Sequence, residues 1–138
     1  TGLSSTDNTR WTTSESRKSI YDPCPAGWRV PDGGSSGVWS KAVRSSSSFS
    51  YTYDASNEGM NFSGKFGSAS IIWYAAAGFR GSSDGCMCGV GYDGCYWSAS
   101  PNRDNARALS FGKYGSAFPS YNYDRARGYS VRCIKEIN

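Results

Sequence analysis

Leu3 and Leu109 are the only leucines in the chain. That shortage narrows the folds open to it more than any motif does. Leucine is the usual apolar residue of amphipathic helices, and it is among the best helix formers. The apolar material here is six Phe, five Trp and ten Tyr. Rings bury large areas, and a buried Tyr or Trp must also find a partner for its polar tip. Seventeen glycines add turns and break helices. The expectation is an aromatic core wrapped by short strands and long loops. With 138 residues the chain is one domain's worth, long enough to bury about two-thirds of its unfolded surface.

Several function classes drop out early. Net charge is +4, carried as single charges along the chain, with none of the basic runs of nucleic-acid-binding arms. No stretch approaches the ~20 apolar residues of a membrane span. Histidine is absent, which removes the commonest acid–base group and metal ligand. Asp93 and Asp104 fall in polar stretches and read as solvated. No catalytic residues, metal or cofactor are expected. The opening "TGLSSTDNTRW" reads as a start in mid-sequence, so the lack of an export signal carries no weight.

Residues 1–17 are polar, with Trp11 as an anchor, and read as a lead-in or linker end. Residues 18–138 read as the domain. Pro23 and Pro25 fix the backbone around Cys24, and Trp28 and Val30 alternate as in a half-buried strand. A helix of two to three turns is predicted in "GGSSGVWSKAVRSSSS", capped by Ser35 or Ser36, with a stripe of Val38, Trp39, Ala42 and Val43. "SFSYTYD" alternates with period two from Phe49 to Tyr53. Residues 60–80 give two strands around a glycine-centred turn. "YWSAS" and "ARALSFG" make a hairpin around "PNRDN", and "YSVRCIKEI" closes the domain as a strand. Residues 81–95 and 112–128 are predicted as loops. The class is α+β, with six to nine short, mostly antiparallel strands and one or two short helices.

Four stretches, "KSIYDPCPAGWRVP", "AAAGFR", "GCYWSAS" and "RARGYSVRCIKE", occur in that order. Together they resemble the C-type-lectin-like domain of gut Bacteroidales surface proteins, a Fibrobacter-type paralogous domain. Within that group the chain is similar to variable proteins of diversity-generating retroelements. The resemblance covers about residues 18–137. It implies a ligand-binding surface of C-terminal residues, changed by mutagenesis of adenines in selected codons. Codons of that kind do not become Lys, Glu, Gln, Met or Trp. Of the fifteen such residues in the chain, residues 98–127 hold one, Lys113, where a proportional share is about three. Tyr96, Trp97, Ser98, Leu109, Phe111 and Arg125 match the family's scaffold. The variable, ligand-contacting positions, within about residues 92–127, would be Tyr92, Asp93, Cys95, Asn102, Arg103, Asp104, Asn105, Arg107, Ala108, Ser110, Gly112, Tyr114, Tyr121, Asn122, Tyr123, Asp124 and Arg127. Ala99 and the loop cysteines in "GCMCG" depart from the family pattern.

The residue types agree with that implication. Tyrosine gives stiff, amphipathic contact area, while Ser, Gly and Asn give adaptable hydrogen bonds. If Leu109 and Phe111 face inward, Ala108 and Ser110 face outward. Tyr114, Tyr121 and Tyr123 then read as contacts rather than ordinary loop tyrosines. Arg103 and Asp104 read equally well as a solvated turn pair. Cys24 and Cys133 form either a long-range disulfide or two buried thiols, and the surface context implied by the resemblance favours the disulfide. Cys86, Cys88 and Cys95 supply three thiolates without an evident fourth ligand, so a local disulfide from Cys95 to Cys86 or Cys88 is the better reading. Formylglycine-generating enzymes share the implied fold, but no site of theirs is recognisable here. The calcium-binding motifs of animal lectins are also missing.

The expected function is a non-enzymatic binding head, an adhesin or receptor-binding protein. It would meet an unknown protein or glycan on another cell or a phage host, with no nucleic acid and no membrane insertion. Its place would be extracellular, at a cell surface or phage tail tip. The alternative is a structural pilus or surface module whose tyrosine-rich loops pack on a neighbouring subunit.

Overall fold

The computed structural model describes residues 7–12, 17–44, 50–63 and 71–136. Its elements run β1 (Trp28–Arg29), α1 (Val38–Arg44), β2 (Ser50–Asp54), β3 (Gly59–Ser63), β4 (Ile71–Ala75), β5 (Phe79–Arg80), β6 (Met87–Cys88), β7 (Asp93–Asn102), β8 (Asn105–Gly112), β9 (Ala117–Asp124) and β10 (Ile134–Lys135). Antiparallel pairing gives two three-stranded sheets, β2–β3–β4 and β7–β8–β9, and two small ribbons, β1–β10 and β5–β6. The described chain is therefore mostly β with one seven-residue helix, which corrects the α+β expectation. Among the described residues, glycine and β-favouring aromatics leave no second stretch that forms a helix. Phe49 and the glycine-centred turn at 64–70 lie outside the described residues.

The core is the aromatic one that the lack of leucine demands. Met60, Ala76, Tyr96, Leu109 and Phe111 are buried together, with Trp39, Tyr53, Phe62, Tyr74 and Ala117 packed against them. These residues come from both large sheets and α1. Tyr74 meets Tyr96 edge-on at 4.9 Å, and Phe62 meets Phe111 edge-on at 5.8 Å. Each such pair is worth about 0.5–1.5 kcal/mol beyond its buried area. The polar tips are satisfied. Tyr96 Oη donates to the Ala75 carbonyl at 2.8 Å, and Trp39 Nε1 donates to Tyr74 Oη at 3.1 Å. Phe111 lies directly over Gly94, where an added Cβ would come within 1.9 Å of the ring.

Other details differ from the expectation for local reasons. Helix α1 starts at Val38, so Gly37, not a serine, holds the cap position. An added Cβ there would strike the Asp32 carbonyl at 2.4 Å. Trp28 is 43% exposed, whereas Val30 is fully buried. The last stretch is not one strand. Residue 130 runs parallel to β7, with Ser130 N–H donating to the Cys95 carbonyl and Trp97 N–H to the Ser130 carbonyl. The chain then leaves β7 so that Cys133 reaches Cys24 and β10 reaches β1. Residues 112–128, expected as a loop, contain all of β9. Pro119 disguises it. β9 borders the sheet, where proline is tolerated, and one extra residue bulges where the register steps from Ala108–Tyr121 to Ser110–Phe118.

Two devices hold the N-terminal part. The Cys24–Cys133 disulfide spans 109 residues, a closure worth about 4–5 kcal/mol in the chain-entropy model. Beside it, the buried Asp22 accepts from the Cys24 and Val30 amides at 2.8 and 2.9 Å. Lys18 Nζ pairs with Asp22 at 3.3 Å and donates to the carbonyls of Cys24, Pro25 and Trp28. Truncating Asp22 strands the Cys24 and Val30 amides and takes the counter-charge from Lys18. Asp22→Ala should lower stability by at least about 2 kcal/mol in urea denaturation. A loss below about 0.5 kcal/mol would mean that the disulfide alone holds this corner.

Candidate binding face

Alternation along β7, β8 and β9 sends neighbouring residues to opposite sides. Tyr96, Leu109 and Phe111 enter the core just described. Trp97, Ala108, Ser110, Tyr121 and Tyr123 go to the other face, paired Trp97 with Ala108, Ala108 with Tyr121, and Ser110 with Phe118. There a second aromatic array forms. Phe118 contacts Tyr121 at 5.7 Å, Tyr121 contacts Tyr123 at 5.1 Å, and Tyr123 contacts Tyr129 at 5.1 Å. Tyr129 stacks on Trp97 at 4.3 Å and meets Phe79 edge-on at 5.7 Å. The array grades from Trp97, 7% exposed, to Phe118 and Tyr121, 48% and 52% exposed. The outer rings are thus backed by fixed inner ones.

Polar groups are threaded through the array. Tyr123 Oη donates to Ser110 Oγ at 3.1 Å, and Cys95 Sγ lies 3.8 Å from the same hydroxyl. The Arg127 guanidinium sits 5.4 Å from the Phe79 ring centre and 5.7 Å from that of Tyr123. Its Nε is buried without a hydrogen-bond partner. Burial raises the Tyr123 and Tyr129 phenols above their ordinary range and keeps the Cys95 thiol protonated. The face offers stacking area and a guanidinium.

The expected contact residues do not form one patch. Tyr121, Tyr123, Ser110 and Arg127 meet on this face. Tyr92 and Tyr114 lie toward the β8–β9 turn, with Lys113 Nζ over the Tyr92 ring at 4.7 Å and Tyr114 91% exposed. Asp93 and Gly112 pair with each other at that end of the sheet. Asn102, Arg103, Asp104 and Asn105 make the β7–β8 turn at the opposite end, and the eight residues of β8 separate the two turns by about 25 Å. Asn122 and Asp124 alternate away from Tyr121 and Tyr123 because β9 is a strand.

Two positions, Ala108 and Cys95, differ from the expectation. Ala108 faces away from the core as expected but is fully buried, because Trp97 and Tyr121 flank it in the ladder. Cys95 is 3% exposed beneath Ser110 and forms no disulfide with Cys86 or Cys88, all three being free thiols. Arg107 packs against Gly34, reaches Ser120 Oγ at 3.4 Å and stays half-buried, lining a surface pocket with Phe118 and Tyr121. Among the described residues no group of three Cys, Asp or Glu could hold a metal ion.

Sequence reasoning missed Phe79, Phe118 and Tyr129. The period-two spacing of Tyr121 and Tyr123 is a strand signal that went unread in the expected 112–128 loop, because Pro119 interrupts it next to Phe118. It also missed the role of Arg125, which donates to the carbonyls of Asp7, Arg103 and Asn105 and to Asn8 Oδ1. That clamp borders a cleft of about 350 Å³ lined by Trp11, Trp97, Pro101 and Ala106, and none of the expected contact residues reaches it.

The chain matches no protein-family model, no curated protein and no solved structure. The face is therefore read from its own geometry.

Two outcomes check that geometry. Tyr121→Ala should cost under about 1 kcal/mol, since half the ring is already in water, whereas Tyr123→Ala should cost about 2–4 kcal/mol through lost packing and a stranded Ser110. Equal losses in urea denaturation would contradict the graded burial. The second concerns pH. A phenol raised on folding adds stability that is whole below its unfolded value of about 10 and is lost as pH rises toward the folded value. Stability should fall from about pH 10 upward, and Tyr129→Phe should flatten that fall in denaturation series taken at successive pH values.

Proposed function

We propose that this chain is a non-enzymatic binding head that uses the aromatic face of the β7–β8–β9 sheet. The observation that carries the reading is the graded array, with Phe118 and Tyr121 about half exposed on a floor of Ala108, Trp97 and Tyr129 that cannot yield. Rigid aromatic anchors lose little freedom on association. Their natural counterparts are an apolar protein surface or the CH-rich face of a pyranose. The Arg127 guanidinium adds a donor for a carbonyl or carboxylate beside the rings.

The finer reading is a C-type-lectin-like variable protein of a diversity-generating retroelement, displayed outside the cell as an adhesin or on a phage tail. It is supported by the four ordered stretches and by the poverty of residues 98–127 in Lys, Glu, Gln, Met and Trp. On this reading the positions that vary would be the accessible ones. Tyr92, Ser110, Tyr114, Tyr121, Asn122 and Asp124 carry accessible side chains, whereas Cys95 and Ala108 are sealed and would hold constant.

Nucleotide sequences of the locus from several isolates test this reading. Substitutions should concentrate in codons for the accessible positions between 92 and 127 and leave codons 95 and 108 unchanged. Substitutions scattered evenly over the gene would remove the diversification reading. Sedimentation under reducing conditions separates it from the structural-module alternative. A binding head stays monomeric, or trimeric on a stalk with this face exposed, and self-association abolished by Tyr121→Ala would instead establish packing between subunits through this face.

A further inference from the structure

Cys86 and Cys88 are free, exposed thiols. They flank Met87 on the β5–β6 ribbon. The amide and carbonyl of Arg80 are both taken by Gly128, while Gly81 N–H donates to the Cys86 carbonyl at 3.0 Å and Phe79 lies opposite Cys88. Backbone groups alternate from edge to edge along an extended strand. The amide and carbonyl of Met87 therefore point away from β5, toward an edge that no described strand occupies. Cys86 and Cys88, two residues apart, share one face of the ribbon. Met87 and Val90, 50% and 57% exposed, add apolar surface beside that edge.

Neither thiol has a disulfide partner within the chain, and Cys88 Sγ donates only to the Cys86 carbonyl at 3.6 Å. Cys24 and Cys133 are joined to each other, and Cys95 is sealed in β7. Cys86 and Cys88 cannot join while the strand stays extended. Side chains two residues apart lie about 6.6 Å from each other, and a disulfide needs its Cβ atoms about 3.5–4.5 Å apart. A chain that carries a long-range disulfide belongs where disulfides persist, and there two exposed thiols find partners outside it.

We propose that Cys86 and Cys88 join two copies of this chain by a pair of disulfides across a two-fold axis at Met87. The spacing is self-complementary. With the open edges antiparallel, Met87 of one protomer faces Met87 of its partner and the two exchange amide–carbonyl bonds. Cys86 then faces Cys88 of the second copy, and Cys88 faces Cys86, as a two-fold contact requires. These flanking pairs are the narrow, non-hydrogen-bonded kind, with Cα atoms about 4.5 Å apart, inside the range of about 4.4–6.8 Å for disulfides. The oxidant is a low-molecular-weight disulfide. A Cys86 thiolate attacks it, forming a mixed disulfide and releasing one small thiol. The Cys88 thiolate of the second copy displaces the other small thiol and closes the bond. Each bond consumes one small disulfide, reduced to two thiols by the electrons and protons of the two cysteines.

This proposal does not rest on the binding reading above. The test is to incubate the full chain with oxidised glutathione at mildly alkaline pH, quench with an alkylating agent, and read non-reducing electrophoresis and intact mass. The expected product has twice the chain mass less four hydrogens. Cys86→Ser alone and Cys88→Ser alone should stay monomeric, because each places a serine opposite its remaining cysteine. An equal mixture of the two should give a dimer with one disulfide. A monomer lighter by two hydrogens through a Cys86–Cys88 bond would overturn the proposal. So would a wild-type monomer carrying glutathione only, or single variants that dimerise as readily as their mixture.

Discussion

The β7–β8 ladder is packed on both faces by rings, and that double burial organises the molecule. Tyr96, Leu109 and Phe111 commit one side to the core. Trp97 and Ala108, each one step along the strands, commit the other side to the outer aromatic array. A slip of one residue would exchange the two sets and press Phe111 outward, away from the cleared space over Gly94. The glycine and the alanine hold the register as firmly as the rings do. Gly94 accepts a ring on one side, and Ala108 lets its neighbours close over it on the other.

This arrangement explains why the outer rings are stiff although half exposed. An isolated surface tyrosine samples several rotamers. Tyr121 leans on Tyr123, which is bonded to Ser110 and meets Tyr129 edge-on. The inner phenols of Tyr123 and Tyr129 are half-buried, and the outer ring stands on them. Residue 130 completes the support by lying alongside β7, so that Tyr129 is held by backbone bonds on a strand it does not belong to.

Much of this was legible in the sequence, and the rest was hidden for definable reasons. The scarcity of leucine forecast an aromatic core, and alternation located β2, while Asp93–Cys95 of β7 fell in an expected loop. The spacing of "YWSAS" and "ARALSFG" gave the hairpin. Pro119 concealed β9, because a border strand with a bulge tolerates a residue that pattern reading treats as a break. The burial of Ala108 could not be read from its own type. It follows from the size of the neighbours that the register sets opposite, and register is a long-range property. Asp22 and Arg125 were invisible as anchors for the same reason. Their partners are mostly backbone atoms, which every sequence possesses, so residue identity says nothing of the convergence.

The bond between Cys24 and Cys133 has a further consequence. All residues between them form one covalent ring. A protease that cuts an exposed turn, such as the one at 113–115 carrying Tyr114, opens the ring without releasing a fragment. The nicked molecule keeps its mass apart from one added water. Digestion therefore separates this domain into pieces only after two cuts, or one cut followed by reduction.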